Sequence, residues 1–132
     1  MSEVAERWLT FAREDVRMAE LALEDGIYNQ TCFHSQQCVE KTLKGALAYH
    51  QGETLPRTHS IADLIRLLPA DWFGDLRADL LETMDDYYLP TRYPDALPGT
   101  LPEGLPGKAE AEEALDLARR TLEEAKRLTG KA

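Results

Sequence analysis

The chain has 132 residues, of which 43% are hydrophobic, and its 24 acidic and 15 basic side chains leave a formal charge of −9. That length fits one domain, residues 1–132, and the apolar content is too high for a disordered chain. No apolar run approaches the roughly 20 residues that span a bilayer, and Met1–Glu6 has neither the basic start nor the apolar core of a secretory leader. The expectation is therefore a soluble, cytoplasmic protein with no membrane partner. The acidic excess disfavours extended nucleic acid as a ligand, because phosphate contacts rest on Lys and Arg. A local basic pocket could still hold a single nucleotide.

The spacing of apolar residues predicts a first helix from Ser2 to about Glu24, with Ser2 as N-cap and Glu3 and Glu6 in the first turn. Val4, Trp8, Phe11, Ala12, Ala19, Ala22 and Leu23 recur at helical intervals and are the expected core face. Asp25-Gly26 should end this helix, since Gly accepts the left-handed cap. A second helix is predicted from about Tyr28 to His50, ending at Gly52, with Phe33, Val39, Leu43, Ala46 and Leu47 as its apolar stripe. So short a connection makes the two helices antiparallel neighbours.

Thr58 or Ser60 can cap a short third helix, Ile61 to Leu68, stopped by Pro69. Asp71 can cap a fourth, from Trp72 to Tyr88, with Leu76, Leu80, Leu81 and Met84 as apolar positions. The segment from Leu89 to Gly107 holds Pro90, Pro94, Pro98, Pro102 and Pro106 and cannot continue a helix. A last helix follows from Lys108 to Leu128, with Ala111, Leu115, Ala118, Leu122 and Ala125 on one face. No strand-like alternation is present. The expected fold is all-α, an antiparallel up-and-down bundle of four to five helices with a long proline-rich loop before the last helix.

Cys32 and Cys38 lie six residues apart on one helix, about 9 Å along its axis, too far for an unstrained disulfide. Together with His34 they lack metal-finger spacing, and they read as buried small hydrophobes. No phosphate loop, metal-binding histidine pair or nucleophile triad occurs, so neither a metal, a cofactor nor a catalytic residue is assigned.

Two polar clusters stand out. On the second helix His34, Gln37, Lys41 and Lys44 fall three or four residues apart and share one side. They can face a ligand, with Lys41 and Lys44 on a phosphate and Gln37 or His34 on a base or sugar, or form a solvated face with a Glu40–Lys44 pair. In the loop, Tyr87 and Tyr88 lead into Arg92-Tyr93-Pro94-Asp95, where tyrosines beside an arginine suit stacking and planar hydrogen bonding. An Arg92–Asp95 bond that ties down the loop is the plainer reading. Asp15, amid apolar residues of the first helix, needs a partner if it points inward, and Arg92 and Lys44 are the candidates.

Three strings taken together, Phe33-His34-Ser35-Gln36-Gln37-Cys38-Val39-Glu40-Lys41-Thr42-Leu43-Lys44, then Thr58-His59-Ser60-Ile61-Ala62-Asp63-Leu64, then Tyr88 and Arg92-Tyr93-Pro94-Asp95, resemble the HEPN domain, whose name stands for higher eukaryotes and prokaryotes nucleotide-binding. The resemblance covers nearly the whole chain. It implies a helical bundle that dimerises and that, in many prokaryotic members, partners a small nucleotidyltransferase in a toxin–antitoxin-like pair. It also implies ligand-binding roles for His34, Gln37, Lys41, Lys44, Tyr88, Arg92, Tyr93 and Asp95. Some members of the family are metal-independent ribonucleases that use an arginine, four to six intervening residues and a histidine. In this chain the corresponding positions after Arg92 hold Leu97, Pro98 and Gly99, and no histidine follows His59. The resemblance therefore points to the non-nuclease Arg-Tyr-Pro-Asp branch and to binding. A ribonuclease toxin that borrows His34 or His59, and a purely structural oligomerisation module, are the alternatives.

Overall fold

The turn between the first two helices sets the frame of the molecule. In a computed structural model that describes residues 3–52, 54–84 and 105–130, helix α1 runs Glu3–Glu24 and α2 runs Tyr28–Gln51. Gly26 between them has φ 75°. This left-handed conformation lets the Ile27 amide donate to the Ala22 carbonyl at 2.8 Å and the Gly26 amide donate to the Leu23 carbonyl at 3.1 Å. The two bonds satisfy carbonyls that the end of α1 would otherwise leave open. The chain reverses at once, and α2 runs back along α1. Leu9 meets Gly45, and Asp15 meets both His34 and Lys41, which is the contact order of an antiparallel pair.

The helices approach closely because Gly45 has no side chain: a Cβ there would stand 3.0 Å from Leu9 Cδ2 and 3.3 Å from the Ala5 carbonyl oxygen. Helices α3 (Ile61–Leu67), α4 (Leu76–Thr83) and α5 (Lys108–Leu128) complete the described bundle, and no strand occurs among the described residues. Helix α5 packs against both α2 and α1, and α3 lies on α2. The core is built from Leu9, Val39, Leu43, Leu47, Leu64, Phe73, Leu80, Met84 and Leu122, with alanines at the closest approaches. Both cysteines are free and buried in it.

Local chemistry explains the helix starts. Ser60 Oγ accepts from the Asp63 amide at 3.2 Å, so Ser60 rather than Thr58 caps α3. Thr58 supports the cap from outside, accepting from the Ser60 amide at 3.0 Å. At α5 the Gly107 amide donates to Glu110 Oε1 at 3.2 Å, half of a capping box.

Two expectations need correction. Helix α4 begins at Leu76, not Trp72, and Asp71 does not cap it. The preceding turn holds Phe73 at φ 67°, with its ring in the core, and Gly74 at φ 43°. The Arg77 guanidinium braces that turn: Nε donates to the Trp72 carbonyl at 2.7 Å, Nη1 to the Ile65 carbonyl at 3.3 Å, and Nη2 to the Pro69 carbonyl. The Ile65 carbonyl belongs to the last turn of α3, and those of Pro69 and Trp72 to the connection that follows it. The second correction concerns apolar faces. Phe11 and Leu81, expected at core positions, are 42% and 43% exposed, while Leu9, between Ala5 and Ala12, is the large core residue of α1.

Residues 85–104 lie outside the described residues, and with them most of the proline-rich loop and Tyr88, Arg92, Tyr93 and Asp95. The same holds for Ser2 as a cap. Among the described residues no helix is long and apolar enough to cross a membrane.

Candidate functional site

Helix α2 carries an unusual number of polar side chains inward: Thr31, Ser35, Gln36, Glu40, Thr42 and Lys44 are all buried. A helix that supplied only packing would put apolar residues there. Two carboxylates organise most of this polarity, and each of them holds one lysine and one histidine.

The first centre is Asp15 on α1. His34 Nδ1 lies 2.9 Å from Asp15 Oδ1, and Lys41 Nζ donates to Oδ2 at 2.6 Å. The histidine and the lysine stand seven residues apart on α2, two helical turns, so both reach the same carboxylate from one side. Because an ionised carboxylate only accepts, His34 Nδ1 carries the proton in this contact. Burial by itself would raise the Asp15 carboxyl. The hydrogen bonds from His34 and Lys41, together with their charges, outweigh it and hold Asp15 below the usual carboxylate range.

The second centre is Glu40 on α2. Lys44 Nζ donates to Glu40 Oε2 at 2.9 Å, and His59 Nδ1, from the segment before α3, lies 3.2 Å from the same oxygen. The Lys44 ammonium also sits over the Trp8 ring, 5.2 Å from its centre, a cation–π contact. Glu40 and Lys44 side chains are only 4% and 10% exposed, so this is an interior ion pair and not the solvated pair that spacing alone allows. Among the described residues Glu40 Oε1, Gln36 Nε2 and Ser35 Oγ are buried without a hydrogen-bond partner. Gln36 Oε1 accepts from Gln37 Nε2 at 2.8 Å.

The α2 stripe of His34, Gln37, Lys41 and Lys44 thus divides. His34 and Lys41 converge on Asp15, Gln37 leans on Gln36, and Lys44 turns inward to Glu40. Among the described residues the partners of Asp15 are His34 and Lys41; of the two expected candidates, Lys44 is engaged elsewhere and Arg92 lies outside the described residues. Two participants escaped the sequence reading: Glu40 as a hub and Trp8 as a platform. Their signal was the spacing Trp8-x6-Asp15 on α1 against Lys41-x2-Lys44 on an antiparallel α2. Among the described residues no group of three or more His, Cys, Asp or Glu side chains could hold a metal.

This bundle, with its polar second helix, defines a class. The HEPN domain model matches residues 5–128, and the chain belongs to that family. The chain is 37% identical to TT1696 from Thermus thermophilus, whose crystal structure superposes with a TM-score of 0.76 over 96% of this chain and 98% of that one. It is 32% identical to ST0689, described as an archaeal HEPN homologue, with a TM-score of 0.68 over 98% of this chain and 99% of that one. A protein of Methanocaldococcus jannaschii named as a candidate toxin, MJ1304, is 29% identical over 129 residues, which cover 90% of this chain and 84% of the relative.

Proposed function

We propose that the chain is a binding component of a toxin–antitoxin-like pair, which takes a nucleotide, a small nucleotidyltransferase partner, or both. Family membership and the candidate toxin of Methanocaldococcus jannaschii support the setting. The observation that carries the binding reading is that the buried atoms Gln36 Nε2 and Glu40 Oε1 have no hydrogen-bond partner among the described residues. Such orphaned groups cost on the order of 1–3 kcal/mol each, a cost that a ligand or partner bonding to them would offset. In this reading His34, Gln37, Lys41, Tyr88, Arg92, Tyr93 and Asp95 form the ligand surface, and Lys44 contributes through Glu40, which it already neutralises. A homo-oligomer would present two such surfaces.

Thermal unfolding in the presence of ATP, GTP and other nucleotides tests the ligand half. A nucleotide at 100 times its dissociation constant adds about 2.7 kcal/mol of stability. Co-purification with a tagged small nucleotidyltransferase encoded beside this chain tests the other half. The reading fails if millimolar nucleotide leaves the transition unmoved and no complex is recovered.

The ribonuclease alternative keeps one supporting observation. A carboxylate that holds Nδ1 of His34 or of His59 orients the ring as in general-base catalysis. That reading predicts metal-independent RNA cleavage that is lost in Arg92→Ala, and intact single-stranded RNA after prolonged incubation disposes of it.

A further inference from the structure

Val4, Trp8 and Phe11 fall at positions i, i+4 and i+7 of α1 and so share one face of it. After α2 ends at Gly52, the chain brings Leu55 up beside that face. Between them lies a cavity of about 390 Å³ lined by Val4, Arg7, Trp8, Phe11 and Leu55, a volume typical of small-ligand clefts. Two of these side chains carry polar groups, and both can only donate hydrogen bonds: the Arg7 guanidinium and the Trp8 indole N–H. The Lys44 ammonium stands over the Trp8 ring, 5.2 Å from its centre, but its charge is already met by Glu40. Arg7 is the cation left for a ligand. Among the described residues its ion pairing is one exposed contact with Glu3, at 3.5 Å, which a better placed carboxylate would displace at little cost.

Side chains that only donate select a ligand that accepts. The fork of Arg7 matches the two oxygens of a carboxylate, and the rings of Trp8 and Phe11 offer aromatic area to an apolar body. From this lining we infer that the cavity binds a small aromatic carboxylic acid, with its carboxylate on Arg7 and its ring between Trp8, Phe11 and Leu55. The positive charge of Arg7 excludes an amine in the same place, and a neutral ring would forgo the charge-assisted bond. A nucleotide would set ribose and phosphate oxygens against Val4, Phe11 and Leu55, where no side-chain donor answers them. The lining residues are separate from His34, Gln37 and Lys41, so an assay of the carboxylic acid and an assay of nucleotide binding fail independently.

The test titrates the intact chain with 3-phenylpropionate, read by tryptophan emission and by calorimetry. The probes 3-phenylpropanol and 3-phenylpropylamine keep the ring while removing or reversing the charge. The acid should give a saturable emission change that persists in Trp72→Phe, where Trp8 is the remaining tryptophan. The alcohol should bind about tenfold more weakly, and the amine should not bind. Arg7→Gln, at an exposed position, should bring the acid down to the affinity of the alcohol. Val4→Trp, which fills the cavity, should abolish binding of both, with circular dichroism confirming that each variant is folded. No saturable response to the acid at millimolar concentration, equal affinity for acid and alcohol, or an unchanged constant in Arg7→Gln overturns the inference. So does a wild-type dimer that takes up no acid and that Val4→Trp dissociates in sedimentation, because a second copy then fills the cavity.

Discussion

Asp15 and Lys41 lie 26 residues apart in the chain and meet at 2.6 Å in the seam between α1 and α2. His34 joins them on the other carboxylate oxygen at 2.9 Å. One acidic residue in an otherwise apolar face therefore fixes the register of the helical hairpin that the rest of the bundle is built on. It does so from an interior position, since Asp15 is only 7% exposed.

Removing that carboxylate leaves two donors without an acceptor. The Lys41 and His34 side chains keep 27% and 22% exposure and can swing toward water, so the loss should fall below that of a fully interior pair. Asp15→Ala is expected to lose about 2 kcal/mol of unfolding free energy. Urea denaturation measures it, and a change within experimental error of zero would make the Asp15 centre ornamental.

The same centre gives a pH dependence with a definite sign. Asp15 is held below its usual value of 3.8, so the folded state binds its proton less readily than the unfolded chain. Its contribution is complete above the usual carboxylate value. It declines as pH falls into that range and is gone below the folded value. Asp15→Asn should therefore have a shallower loss of stability than the wild type on acidification through about pH 4. Parallel acid-denaturation slopes for the two proteins would contradict this.

Glu40 and Lys44 should behave as a coupled interior pair. Glu40→Ala strands a buried ammonium and should cost about 3–5 kcal/mol, whereas E40M/K44M replaces both charges with apolar groups of similar length and should cost far less. A double-mutant cycle by chemical denaturation separates the two. If the double variant is as damaged as the sum of the singles, the pair is not coupled in this way.

Much of this architecture was legible because it is local. Gly26, Gly52 and Ser60 mark helix ends through chemistry confined to a few residues, and the ends of α1 and α2 and the start of α3 follow from them. What was not legible depends on which neighbour a helix finds. Phe11 and Leu9 both fit an apolar face of α1, and only the close approach at Gly45 decides that Leu9 goes inside. The start of α4 depends on Arg77, which reaches back to the Ile65 carbonyl of α3 and to the Trp72 carbonyl in the turn, contacts that sequence spacing cannot place. The Glu40–Lys44 spacing suits an exposed pair equally well; in the fold His59 meets the carboxylate and the Trp8 ring meets the ammonium, neighbours that spacing along α2 does not reveal.

The cysteines should be chemically silent in the folded protein. Both are fully buried, and burial pushes the Cys38 thiol up to about 12, leaving almost no thiolate at neutral pH. A thiol-specific chromogenic reagent should label neither residue in buffer and both in concentrated urea. Rapid labelling of the native protein would show that the α2 core opens far more readily than its packing implies.

The central claim is that the polar interior of α2 serves a binding surface. Calorimetric titration of the intact wild-type chain and of Glu40→Gln with ATP and GTP tests it most directly. The account predicts saturable heat for one nucleotide with the wild type, and a weakened or absent response in a folded Glu40→Gln variant. No saturable heat with either nucleotide at millimolar concentration, or equal affinity for both proteins, would contradict the assignment of this face to the ligand.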